Sequence, residues 1–210
     1  MGRTVANDDQ QRRFWDDHAS TYDRGMALVE RRILRDTRSW VAGRATGQTL
    51  EVAVGTGLNL PHYSDAVELT AVDLSPQMLK IARRRAADLE RTVTFSEQSA
   101  SALGFADDSF DTVTCTLALC SIPDDKGAVA EMIRVLRPGG QLILADHVES
   151  SAAALRLGQR LLELWSLRDG EHFRRRPIRH LYAAGVQVHE HERFLGGIIE
   201  RVVAIKPADH

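Results

Sequence analysis

Short apolar or β-branched runs alternate with helical periodicities along most of this chain, and that alternation constrains the fold more than any other feature. Thr49–Val54 reads as a strand carrying Leu50, Val52 and Val54, and Glu68–Val72 as a second that stops at Asp73. Ser75 and Pro76 then open a helix as N-cap and N1, with Met78, Ala82, Ala86 and Leu89 on its inner stripe. Thr92–Phe95 is a third strand. Asp111–Ala118 is a fourth, mixed apolar and β-branched as a central parallel strand should be. Asp124 and Asp125 start a helix whose buried face is Val129, Met132, Ile133 and Leu136, and Pro138-Gly139-Gly140 stops it before the strand Gln141–Ala145. This order predicts an α/β fold, a mostly parallel sheet covered on both faces. Ahead of it, Met26, Val29, Ile33, Thr37 and Trp40 have the period of one amphipathic helix. At the other end, Val186–Phe194 and Ile198–Lys206, joined by Leu195-Gly196-Gly197, predict an antiparallel hairpin.

With 210 residues and no linker, repeat or low-complexity segment, one domain suffices. A net charge of −2 gives no clustered basic excess for nucleic acid. Cys115 and Cys120 lie five residues apart in an apolar run, which reads as reduced thiols of a cytoplasmic protein. The start of the chain lacks a signal peptide's apolar stretch, and no apolar run reaches the ~18 residues a bilayer span needs. The expectation is a soluble monomer or homodimer with a small-molecule partner.

Between the first strand and the next helical segment lies Glu51-Val52-Ala53-Val54-Gly55-Thr56-Gly57. Glycines there admit positive φ and close approach of a ligand to the backbone. A dinucleotide turn, G-x-G-x-x-G/A, needs a third small residue, and either frame here offers Leu58 or Leu60 instead. No Gly-Lys-Ser/Thr follows, so a phosphate loop is absent as well. What the segment resembles is the E/D-x-G-x-G-x-G turn of S-adenosylmethionine enzymes, with Ala53 at the first glycine. That cofactor carries no phosphate, so an acid is an advantage: Glu51 can meet its ammonium group. Asp73, 22 residues on, can accept from both ribose hydroxyls, unless it only caps the next helix. Leu74 and Met78 would contact the adenine ring.

Leu50–Gly57, Val72–Leu79, Phe105–Asp111 and Arg134–Gly140 together resemble class I methyltransferases of the kind that act in quinone biosynthesis. The resemblance implies a single Rossmann-like domain with a seven-stranded sheet: an N-terminal helical lid over 1–45, a cofactor-binding core over 46–150, and acceptor-side helices with the hairpin over 151–210. Phe14–Asp23 resembles the segment that closes over the cofactor, bringing Trp15 and Tyr22 to the sulfonium or the acceptor, although both also read as packing aromatics. S-adenosylmethionine would be held by Tyr22, Glu51, Ala53, Gly55, Gly57, Asp73, Leu74, Met78, Ser99, Ala100 and Leu117. Ala53 for glycine is tolerable on a β-like backbone. Ser99 stands where the family has an adenine-binding Asp and can accept the same bond without charge. A narrower likeness in Cys115–Pro123, Asp146–Val148 and Glu192–Arg201 points to bacterial phospholipid N-methyltransferases and alkyl-thiol S-methyltransferases. Gly170, His172 and Arg175 keep part of that group's pattern, with Glu171 in place of its cysteine.

Methyl transfer from a sulfonium is an in-line displacement, so catalysis lies in positioning, exclusion of water and removal of the acceptor's proton. Candidates belong at the carboxyl ends of the central strands. Asp146 and His147 are the expected orienting carboxylate and base, cooperating only if the strand has ended at Ala145, because adjacent strand residues face opposite ways. Trp15, Cys120, Ser121 and His172 are the expected acceptor contacts; Cys120 also reads as a small buried residue and His147 as a structural histidine. No metal is expected. Arg174-Arg175-Arg176 after the amphipathic stretch Leu155–Leu167 reads either as a solvated face or as a contact for anionic lipid. The expected function is methyl transfer to a thiol, amine or hydroxyl of a small molecule, with phospholipid N-methylation and a non-catalytic cofactor-binding partner as alternatives.

Overall fold

The computed structural model describes residues 2–166, 172 and 174–208, with side chains described from residue 8 and not at 162 or 164–166. A long helix α1 (Gly2–Val29) passes through one π-helical turn, Glu30–Leu34, and breaks before the short α2 (Thr37–Ala42). The single helix expected over Met26–Trp40 is therefore interrupted. Arg35 stands at φ 54°, and buried Arg201 explains the break. Its guanidinium donates to Thr37 Oγ1 at 2.8 Å and to Asp36 Oδ1 at 2.5 Å, holding the turn in a tertiary contact that no local period encodes.

The core alternates as expected: β1 (Gln48–Val52), β2 (Glu68–Asp73), α3 (Pro76–Asp88), β3 (Val93–Glu97), β4 (Phe110–Thr116), α4 (Asp125–Val135) and β5 (Leu136–His147). After α5 (Ala153–Ser166) and α6 (Ile178–Ala183), the hairpin β6 (Gln187–Phe194) and β7 (Ile199–Ile205) completes a seven-stranded sheet of order β3-β2-β1-β4-β5-β7-β6. β1 to β5 pair in parallel, and β7 pairs antiparallel with both β5 and β6. Leu50, Val52, Val113, Leu142 and Leu144 point to one core, with Val129 and Met132 of α4 and Leu181 of α6. Leu69 and Ala71 face the other, with Leu79 and Ala82 of α3.

Local chemistry explains most element ends. Ser75 caps α3, its Oγ accepting from Met78 N at 3.1 Å, and Asp124 caps α4, accepting from Gly127 N at 2.8 Å. Two stripe assignments fail at the helix ends. Leu89 is the C-cap of α3 and 42% exposed, and Leu136 opens β5 rather than closing α4. β5 is also longer than its apolar run, because β7 pairs along it as far as His147, opposite Ile199. The acidic stretch before β4 is a clamp at the amino end of the sheet. Asp107 pairs with Arg134, Asp108 with Lys206 and Asp111 with Arg137, far in the chain from the cofactor motifs they accompany.

Candidate active site

Strand order reverses between β1 and β4, which is where an open α/β sheet leaves a crevice beyond its carboxyl ends. A cavity of ≈ 790 Å³, mouth included, occupies that place. Its walls include Glu51, Ala53, Val54, Gly55 and Thr56 from β1 and its turn, Asp73, Leu74 and Met78 after β2, and Gln98, Ser99 and Ala100 after β3. Thr116, Leu117, Ala118, Ser121 and Ile122 line it after β4, and Gln11, Trp15, Tyr22 and Arg38 from the N-terminal helices. Of the predicted site residues, Trp15, Tyr22, Glu51, Ala53, Gly55, Asp73, Leu74, Met78, Ser99, Ala100, Leu117 and Ser121 are brought together on these walls. Gly57, Cys120, Asp146, His147 and His172 do not line them.

The two glycines of the turn have different jobs. Gly55 at φ 56° would project a Cβ into open space, leaving room for a ligand against its backbone. Gly57 at φ 82° would drive a Cβ to 2.7 Å from Leu60 Cδ1, so it serves close packing instead. Ala53 would be a mild replacement for glycine on a β-like backbone, but it stands at φ 57°. A left-handed alanine costs about 1–2 kcal/mol, which glycine avoids at an unfolded-state cost of ~0.4–1 kcal/mol. Ala53→Gly should therefore raise the melting temperature by roughly 1–4 °C. An unchanged or lower midpoint in calorimetry would show that this position carries no strain.

Asp73 is nearly buried and organises the turn: Oδ2 accepts from Gly55 N and Oδ1 from Ser75 N, both at 2.8 Å. Burial pushes its carboxyl up to about 6, against the lowering effect of those two N–H groups. Glu51 lies on the floor, 2% exposed. Its Oε1 accepts from Asn59 Nδ2 at 2.8 Å, and Asn59 Oδ1 accepts from Arg38 at 2.9 Å. Oε2 is buried with no hydrogen-bond partner among the described residues. Desolvation raises this carboxyl to about 7, opposed by the Asn59 bond and the Arg38 charge. A buried, orphaned carboxylate oxygen on a cavity floor wants a cation, and an ammonium group supplies one.

Helix α1 closes the cavity and is tied at three points. Gln11 Nε2 donates to Ser121 O at 2.8 Å, Ser75 Oγ to Asp16 at 2.6 Å, and Thr56 Oγ1 and Arg85 donate to Asp23 at 2.6 and 2.5 Å. Trp15 and Tyr22 meet edge to face with ring centroids 5.8 Å apart. Burial lifts the Tyr22 hydroxyl to about 12, opposed mainly by Arg38. Arg38, Thr116 and Gln98 were not legible as site residues. Arg38 sits within an apolar-periodic helix, and the bonds that mark it run to residues about twenty positions away.

At the ends of β4 and β5, Cys120, Asp146 and His147 form a second group, with ligating atoms within 4.8 Å of one another. The strand has not ended at Ala145, so the stated condition for Asp146 and His147 to cooperate through a turn is not met. Instead the buried Asp146 carboxylate folds back onto main-chain N–H groups, accepting from His147 N at 2.7 Å and Cys120 N at 3.2 Å. Burial raises its pKa, opposed first by His147. His172 N donates to Cys120 O at 2.9 Å, so His172 braces the loop through its backbone. Arg175 donates to the carbonyls of Leu119, Ile122 and Pro123, and Arg176 approaches Glu200, so two of the three consecutive arginines turn inward. The Gly170 and Glu171 positions, Leu167, and the side chains of Leu162 and Trp165 lie outside the described residues.

Residues 50–144 match the methyltransferase domain family. The chain is 38% identical over 128 residues to a phosphatidylethanolamine N-methyltransferase of Cereibacter sphaeroides, covering 60% of this chain and 63% of that one. It is 31% identical over 137 residues to a thiol S-methyltransferase of Homo sapiens, covering 63% and 55%. The match thus spans less than two thirds of these relatives' own lengths. A SAM-dependent methyltransferase structure from Thermotoga maritima superposes with a TM-score of 0.68 over 92% of this chain and 99% of that one, at 22% identity, which speaks to fold alone. Sheet order, the placement of the glycine turn and the matched domain agree: residues 50–144 match the methyltransferase domain family on a Rossmann-like sheet, and the chain is similar to methyltransferases along that stretch.

Proposed function

We propose that the protein binds S-adenosylmethionine in the switch-point cavity and directs its methyl group to a thiol, amine or hydroxyl of a small acceptor. The observation that carries this reading is the pair of carboxylates there: Asp73 at the end of β2 and the orphaned Glu51 oxygen on the floor. Both suit a ligand with a diol at one end and an ammonium at the other, and neither suits a phosphate. When bound, the cofactor supplies an electrophilic methyl group on a sulfonium. Asp73 accepts from the ribose hydroxyls, Glu51 meets the ammonium, and Leu74 and Met78 pack the adenine. Trp15 and Tyr22 on α1 exclude water. His147, at the end of β5 with its main-chain N–H rather than its ring bonded to Asp146, takes the acceptor's proton when it has one to lose. Transfer of label from methyl-labelled cofactor to a panel of thiols, amines and lipids tests the reading. Label on a small acceptor supports it; label on phosphatidylethanolamine alone moves the acceptor to lipid; binding without transfer leaves a non-catalytic partner. The lipid reading draws on the relative in Cereibacter sphaeroides and on α5, where Leu155, Leu157 and Leu161 are exposed beside Arg156 and Arg160.

Two expectations follow from the geometry. If Glu51 must ionise to meet an ammonium, cofactor binding expels its proton below pH 7. Affinity should then fall about tenfold between pH 8 and pH 6 in isothermal titration, and Glu51→Gln should bind more weakly with a flatter profile. A wild-type affinity independent of pH over that range would remove Glu51 from the ammonium. The same raised pKa has a defined effect on the empty protein. The folded state holds the extra proton, so this group's stabilisation is lost as pH rises from about 4.5 to about 7. Second, residues 11–24 cover the bound ligand and must open to exchange it. Hydrogen exchange there should slow on adding S-adenosylhomocysteine. Unchanged exchange in that segment, with protection elsewhere, would make α1 a fixed wall.

A further inference from the structure

Three side chains of different chemistry meet at the ends of β4 and β5, outside the walls of the large cavity. Cys120 Sγ, a carboxylate oxygen of Asp146 and a ring nitrogen of His147 all lie within 4.8 Å of one another. Cys120 and Asp146 are buried and His147 is half-buried. We propose that these three residues form a binding site for one borderline-soft divalent cation, with Zn²⁺ as the representative ion.

The donor set selects the class of ion. A thiolate, an imidazole and a carboxylate are together the ligands of Zn²⁺, whereas Mg²⁺ and Ca²⁺ take oxygen alone. The distances are close to what is needed. Ligands at about 2.0–2.3 Å from a tetrahedral ion stand roughly 3.3–3.8 Å apart, so the group closes by about 1 Å through χ rotations of Cys120 and His147. The carboxylate is already oriented, since the main-chain N–H groups of His147 and Cys120 hold Asp146 at 2.7 and 3.2 Å, and the Cys120 thiol also bonds it, a contact that a cation would replace. Among the described residues Asp146 forms no ion pair with lysine or arginine, so a cation would compensate a buried carboxylate that the fold supplies with N–H dipoles. The Cys120 thiol proton is released to solvent as its sulfur binds the ion. Three protein ligands leave a fourth position for water, and Ser121, next in sequence to Cys120, lines the cavity.

The site has one functional consequence, which rests on the proposed role of His147. A ring nitrogen bound to a metal cannot take a proton from an acceptor, so the ion and proton transfer exclude each other. Zn²⁺ at concentrations that fill the site should then inhibit methyl transfer, and a chelator should reverse the inhibition.

The test uses the full chain, stripped of metal with a chelator and desalted, and Zn²⁺ alone as the probe. Competition with a chromophoric chelator should show one equivalent bound, with a Kd of about micromolar or tighter. Cys120→Ser and His147→Ala should each weaken binding at least tenfold. Co²⁺ in place of Zn²⁺ should give a sulfur-to-metal charge-transfer band in the wild type that Cys120→Ser lacks. This band needs only the wild-type protein, so it decides the matter even if a variant fails to fold. No uptake at equimolar ion, or uptake without the band and unchanged in both variants, overturns the site. Stoichiometric uptake with the band but without inhibition upholds the site and instead counts against His147 as the base.

Discussion

Replacing Asp73 with alanine should weaken binding of S-adenosylmethionine and of its demethylated product at least tenfold in titration calorimetry. The carboxylate stands at the end of β2 on the cavity wall, and on the proposed function its charge-assisted bonds to ribose hydroxyls would contribute roughly 1.5–3 kcal/mol each at most. The same oxygens hold Gly55 N and Ser75 N, so part of the loss comes from a loosened turn. Ser75 Oγ still caps α3 without Asp73, which keeps the helix in place. A melting curve measured alongside separates the two effects: a large affinity loss with a small midpoint change assigns Asp73 to the ligand. Equal affinity in the two proteins would remove it from the site.

His147→Ala should lower turnover ~10²-fold for a thiol acceptor, with cofactor affinity intact. A thiol holds most of its proton at neutral pH, so a nearby acceptor for that proton speeds attack. For an amine already neutral at the assay pH the loss should be small. Near-normal thiol turnover would make His147 structural and leave positioning as the source of catalysis. His147 lies at the end of β5 and is not on the cavity wall, so the acceptor would have to reach beyond the lining residues to meet it.

Much of the fold was legible because strands and helices here obey their own periods. Leu50, Val52, Val113 and Leu142 read as strand residues and lie in one core, and Ser75-Pro76 reads as a helix start and is one. What escaped the sequence was imposed from a distance. Arg201 breaks the N-terminal helix at Arg35, and β7 extends β5 past its apolar run to His147. Within the site, the turn and Asp73 were legible from type and spacing. The rest of the floor was not: Glu51 was named from the motif, but the bonds that join it through Asn59 to Arg38 and Thr116 cross the chain and leave no local pattern. Gly57 shows the opposite error, a motif glycine that packs against Leu60 rather than facing the cavity. The acidic stretch before β4 misleads similarly, accompanying the cofactor motifs in sequence while clamping the far end of the sheet.

On the proposed function, this cavity takes a phosphate-free nucleoside carrying an amino-acid end. Titrating the purified full chain with S-adenosylhomocysteine, and separately with a nicotinamide dinucleotide, tests it most directly. One site per chain is expected for the first ligand, weakened at least tenfold by Asp73→Ala, with no measurable binding of the second. No binding of S-adenosylhomocysteine, or preference for the dinucleotide, would contradict it.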